Sequence, residues 1–202
     1  MTETTPIADR PFRRVHVVVS GFLQRYGDRN GMARLWRALH ECASEDTAIL
    51  HCTWNDDFRD TAEFVWRYRA TQGEPTRIAL YGYSWGVAGC IRLARELQKR
   101  GMGVDYLVSS DGVYRHWYPL GSWRAMVSWS RLVVPANVAN VFWFRQRSNL
   151  PAGHDIVAED RTKTQVLNPV TLTRTHQYMD DAPEFAARSI QVAHWLHGEA
   201  AA

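Results

Sequence analysis

The chain is poor in cysteine, with only Cys42, Cys52 and Cys90 among 202 residues. The number is odd and no pair has metal-ligand spacing, which excludes a disulfide-stapled scaffold and a cysteine-built metal centre. Buried free thiols in a reducing compartment are the expected state. Long apolar runs are also missing. None reaches membrane-spanning length, and Met1 to Arg10 lacks the apolar core of a secretory signal, so a cytoplasmic chain with no integral membrane segment is expected. Charge of one sign is missing too. The net charge is +3 and no basic block stands out, which argues against nucleic acid as a partner. There is no internal repeat, low-complexity tract or linker. What is abundant is tryptophan, nine residues within a 12% aromatic content, more than core filling alone accounts for, so some are expected to line a cleft. With 46% apolar and 22% charged residues, the remainder is ordinary for one globular core of this length. The expected organisation is a loose arm over residues 1–12 and a single domain over 13–198.

Along the chain, apolar strand patterns alternate with helical ones. Arg14 to Ser20 (RVHVVVS) is a β-branched run of the kind that suits the interior of a parallel sheet. After Gly21 and a more polar loop, Met32, Leu35, Trp36, Leu39 and Cys42 recur at helical spacing. Thr47 to Trp54 reads as a second strand. Asn55, Asp56 or Asp57 can then cap a helix bearing Phe58, Ala62 and Val65 on one face. Arg77 to Tyr83 is a third strand, followed by a helix with Val87, Cys90, Ile91, Ala94 and Leu97 inward. Val104 to Ser110 is a fourth, ending at Asp111-Gly112. Tyr114 to Trp129 reads as an aromatic loop or short helical insertion, and Pro135 to Arg145 as a fifth strand. Ser148 to Lys163 is polar. Thr164 to Leu172 is a weaker sixth strand, interrupted by Asn168-Pro169. Asp180-Asp181-Ala182-Pro183 opens a last helix, with an acidic cap and proline in its first turn. The alternation predicts an α/β domain with a mostly parallel central sheet of about six strands and helices on both faces, functional groups gathering at the carboxyl ends of the strands.

One stretch organises the rest. Gly82-Tyr83-Ser84-Trp85-Gly86 is a G-x-S-x-G between a strand and a helix. A turn sharp enough to expose the serine needs small residues where strand and helix close on each other. The bland reading is a tight strand–helix turn; the chemical reading is a nucleophile at a helix N-terminus, where backbone N–H groups can stabilise an anion. A serine nucleophile needs a base, usually histidine, and a carboxylate to orient it. His176, past the last strand in polar company, is the favoured base, with His154 as the rival. Asp111, directly after a buried strand, is the favoured acid, with Asp155 as its rival. Asp180 and Asp181 are accounted for as helix caps.

The order Ser84…Asp111…His176, the elbow and the loop after the first strand together resemble the α/β-hydrolase superfamily, over nearly the whole domain from about Val15 to Leu196. In most members the acid follows a later strand, which corresponds here to the loop with Asp155. In others it sits in a short Asp-x-Val turn after the strand next to the elbow strand, as in Asp111-Gly112-Val113. The resemblance implies an ester or thioester hydrolase with no metal or organic cofactor, and an oxyanion hole of the Trp85 and Phe22 N–H groups, with Leu23 as the alternative to Phe22, although Gly21-Phe22-Leu23-Gln24 is not the His-Gly-Gly-Gly of many lipases. Leu23, Tyr83, Tyr114 and Trp117 are then candidates for substrate binding, with Tyr118 and Trp123 possible neighbours. There is little room for a large lid, so a small or single-chain acyl substrate is expected. The alternatives are an acyltransferase on the same triad and a non-catalytic ligand- or partner-binding protein on the same fold.

Overall fold

The computed structural model describes residues 11–24, 29–71, 73–114 and 130–198. Five of its strands form the body of one sheet: β1 (Arg14–Ser20), β2 (Thr47–Thr53), β3 (Arg77–Tyr83), β4 (Val104–Ser110) and β6 (Val138–Arg145). They lie in the order β2-β1-β3-β4-β6 and every pairing is parallel. The expected sixth strand is two short ones, β8 (Gln165–Val166) and β9 (Val170–Thr171), both paired with β6. The break falls at Asn168-Pro169, where proline has no N–H to give the ladder.

Alternation along the strands makes two cores. Val15, Val17 and Val19 of β1 and Ile78 and Leu80 of β3 point to one face, covered by α2 (Phe58–Arg67) and α3 (Trp85–Gln98). Val18, Ala79, Tyr81 and Val108 point to the other, covered by α1 (Gly31–Glu41) and α4 (Pro183–His197). Both faces are buried, which is why β1 and β3 read as continuous apolar runs rather than alternating ones. Phe12 lies against the first core and pairs its backbone with Tyr68 and Ala70.

Two details differ from expectation. Within the polar stretch 148–163, Asp155–Ala158 forms a strand (β7) that pairs in parallel with Arg131–Val134 (β5), a second small sheet outside the main one. Only Leu132, Val134 and Ile156 bury apolar surface there, too few to show a period in sequence. The acidic pair before α4 does not cap it. The cap position is Ala182, with no side-chain bond. Asp180 instead accepts from the Gly31 N–H at the start of α1 (2.9 Å), because α1 and α4 lie side by side on one face and bring the two helix starts together. Among the described residues no helix is long and apolar enough to cross a membrane.

Candidate active site

Strand β3 ends at Tyr83 and α3 begins at Trp85, leaving Ser84 alone to make the turn. Its φ of 53° and ψ of −124° lie outside the ordinary regions for a non-glycine residue. The backbone around it is fully engaged. The Ser84 N–H donates to Ser110 O (3.0 Å), and Ser84 O accepts from the N–H groups of Val87 and Val113 (3.1 Å each). The flanking glycines are sterically required. A Cβ on Gly86 would stand 2.2 Å from Val19 O, and one on Gly82 2.9 Å from Val87 N. A serine before a helix usually accepts a bond from an N–H of the first turn. Ser84 makes no such cap. Its Oγ donates to His176 Nε2 at 2.9 Å instead.

His176 opens a single 3-10 turn, His176–Tyr178, between β9 and α4. Its ring is fixed from several directions. Nδ1 donates to Asp111 Oδ2 at 2.6 Å, which assigns the proton to Nδ1 and leaves Nε2 as the acceptor for the serine. The His176 N–H donates to Asn149 Oδ1 (2.8 Å), and its carbonyl accepts from the Tyr83 hydroxyl (2.8 Å). Tyr83, expected to bind substrate, is buried with its ring 5.3 Å from the imidazole, and so lies beneath the histidine rather than in a cleft. Burial, with the charges of Asp180 and Asp111 adding to it, pushes the Tyr83 phenol well above its usual range, so it stays a neutral donor.

Asp111 follows β4 with φ of 45° and is wholly buried. Its own N–H donates to Phe144 O (2.7 Å), which draws the turn toward β6. The carboxylate accepts from the Gln146 N–H at Oδ1 (3.0 Å), and from Gln146 Nε2 (3.1 Å) as well as His176 at Oδ2. Gly153 passes so close that a Cβ on it would fall 2.2 Å from Oδ1. The two rivals are placed elsewhere. Asp155 pairs at the surface with Arg145 (2.7 Å). His154 is buried, donates its N–H to Gly112 O (2.8 Å), and accepts from the Tyr114 N–H at Nδ1 (2.7 Å).

The loop after β1 completes the edge. A Cβ on Gly21 would lie 3.1 Å from Ser84 Cβ, so this backbone closes directly on the serine. Gln24 holds it, accepting from the Gly21 N–H (2.9 Å) and donating to Asp180 Oδ2 (2.7 Å). The Phe22 ring stands 4.5 Å from Trp85 and 5.4 Å from Trp54, centroid to centroid, and those two tryptophans are 5.1 Å apart. Phe22 is 48% exposed and Leu23 75% exposed, apolar side chains on the loop that closes on Ser84. Tyr114 is half-buried against the first core. Trp117, Tyr118 and Trp123 lie outside the described residues.

Leu23, Ser84 and Asp111 are the positive-φ non-glycine residues among those described; Ser84 and Asp111 directly follow β3 and β4, and Leu23 lies three residues past β1, the three strands being adjacent. Backbone strain gathered at one sheet edge is characteristic of functional sites. Sequence reasoning missed Trp54, Gln146, Asn149 and Gly153. The only signal available was position, since Trp54 and Gln146 each stand directly at the end of a strand pattern.

The chain matches no protein-family model and no curated protein.

Proposed function

We propose that the protein is a serine hydrolase of the α/β-hydrolase kind, cleaving an ester or thioester through an acyl-enzyme. The observation that carries this reading is the continuous chain Ser84 Oγ–His176 Nε2, His176 Nδ1–Asp111 Oδ2, at 2.9 and 2.6 Å. In the first half-reaction Ser84 Oγ bonds to the substrate carbonyl carbon as its proton passes to His176 Nε2. The tetrahedral centre collapses, and His176 gives that proton to the departing alcohol or thiol. In the second half-reaction water adds in the same way, with His176 taking its proton and returning it to Ser84 as the acid leaves. Asp111 remains ionised throughout and stabilises the imidazolium between the two transfers.

The oxyanion is assigned to the N–H groups of Trp85, at the positive end of α3, and Phe22, whose loop closes on the serine. Each such donor contributes on the order of 3 kcal/mol to transition-state stabilisation. Phe22, Trp54 and Leu23 form an apolar wall on the side of Ser84 away from Asp111, which suits a small or single-chain acyl group.

A fluorophosphonate probe tests the reading. The wild-type protein should be labelled at Ser84 and the Ser84→Ala variant should not. Absence of wild-type labelling would sink the proposal. A panel of p-nitrophenyl esters and acyl-CoA thioesters of graded chain length then defines the acyl group.

A further inference from the structure

We infer that Gln146 is a positioning residue for this triad, acting through both Asp111 and His176; the inference rests on the hydrolase reading above. Gln146 is the first residue beyond β6 and is completely buried. A buried side-chain amide is costly unless every polar atom finds a partner, and this one is fully used. Nε2 faces Asp111 Oδ2 (3.1 Å), Asn149 O (3.0 Å) and Pro151 O (3.0 Å). Oε1 accepts from the N–H groups of Ser148 (2.7 Å) and Asn149 (3.0 Å), with the Ser148 hydroxyl, which donates to Arg174 O, 3.0 Å away. The pattern fixes the amide orientation: three acceptors surround the nitrogen and two N–H donors face the oxygen.

The consequences reach both partners of the serine. Among the described residues the Asp111 carboxylate has three hydrogen-bond donors, and two of them belong to Gln146, the third being His176. With main chain on Oδ1 and side chain on Oδ2, Gln146 sets the plane of the carboxylate and so the direction in which Oδ2 meets the imidazole. The same amide folds the loop 146–149 around its oxygen. That loop carries Asn149, whose Oδ1 receives the His176 N–H at 2.8 Å. One buried side chain thus sets the acid directly and the backbone of the base through one neighbour.

A donor on Oδ2 also draws negative charge from the carboxylate. Without it Asp111 holds the imidazolium proton more tightly, so the acid limb of the rate profile moves to higher pH. The test uses Gln146→Met and Gln146→Leu, both close in size but without the amide, with circular dichroism to confirm folding. Steady-state hydrolysis of p-nitrophenyl butyrate across pH should show kcat reduced about 10- to 100-fold in both, the worth of one charge-assisted hydrogen bond, with KM unchanged and the acid limb displaced upward. The low-field proton resonance of the His176–Asp111 bond should shift in both variants, a readout that needs no turnover. An active wild type with folded variants of unchanged kcat and pH profile overturns the inference and leaves the hydrolase reading standing. An inactive wild type whose low-field resonance nevertheless shifts on substitution supports the positioning role and rejects the hydrolase reading.

Discussion

Asp111 is the residue on which the proposed chemistry most depends. A carboxylate with no exposed surface is tolerated only because three donors satisfy it, and its φ of 45° aims it across the strand end instead of along it. Asp111→Asn keeps the shape, but its amide favours the wrong imidazole tautomer; kcat should fall on the order of 10⁴-fold with little change in KM, measured on any accepted ester. His176→Ala should abolish turnover. His154→Ala should retain it at reduced stability, because the buried His154 ring accepts from the Tyr114 N–H whereas Ser84 Oγ meets His176. If His154→Ala were the inactive variant, the base would be misassigned. Gly153→Ala is a subtler probe. Its Cβ would fall 2.2 Å from Asp111 Oδ1, so the carboxylate must move. The expected result is a loss of kcat of at least tenfold, with about 1–3 kcal/mol of stability lost to overpacking, read by urea unfolding.

At the scale of elements, the site is a row of strand ends. Across the sheet, β2, β1, β3, β4 and β6 end next to Trp54, Phe22, Ser84, Asp111 and Gln146. Parallel strands put all these ends at one edge, so residues far apart in sequence meet without any one loop having to be long. The elbow shows how tightly two elements are joined there. Gly86 lies in the first turn of α3, and a Cβ on it would come 2.2 Å from Val19 O in β1. Because that neighbour is backbone in a central strand, it cannot yield. Gly86→Ala should cost about 3 kcal/mol or more and lower activity together with stability, seen as a reduced midpoint in chemical denaturation. The loop after β6 illustrates the reverse case. The rival Asp155 starts β7 at the surface, whereas Gln146 and Asn149 of the loop bond to Asp111 and His176.

At the scale of the whole molecule, stability should depend on pH through a group remote from the triad. His16 is buried in β1 beside the Tyr81 hydroxyl (Nδ1 to oxygen 2.9 Å). Burial, then the nearby charges of His197 and Arg14, lowers its pKa to about 3. The unfolded chain takes up a proton near the ordinary histidine value of about 6.5. Between these limits the unfolded state binds more protons than the folded one. His16 therefore contributes stability that is fully present above pH ~6.5 and is lost progressively as pH falls toward 3. Tm should drop from pH 7 to pH 4, and His16→Asn, which can keep a bond to Tyr81, should flatten part of that slope in scanning calorimetry. An unchanged slope would assign the dependence to other groups.

The local pattern of the sequence determined the alternation of strands and helices, the elbow and its serine, and the split of the last strand at Asn168-Pro169. These follow from side-chain period, glycine and proline geometry, which act over a few residues. It also narrowed the partners proposed for Ser84 to a short set, because candidates had to stand at strand ends. Tertiary structure alone placed Asp111 rather than Asp155, and His176 rather than His154, in the hydrogen-bonded chain with Ser84, since that placement turns on a 2.6 Å contact between residues 65 apart in the chain. It alone moved Asp180 from its own helix to the start of α1, put Tyr83 beneath the histidine, and made Gln146 a partner of Asp111. A glutamine after a strand carries no period and no motif, and only the packing of β6 beside β4 brings it to the carboxylate.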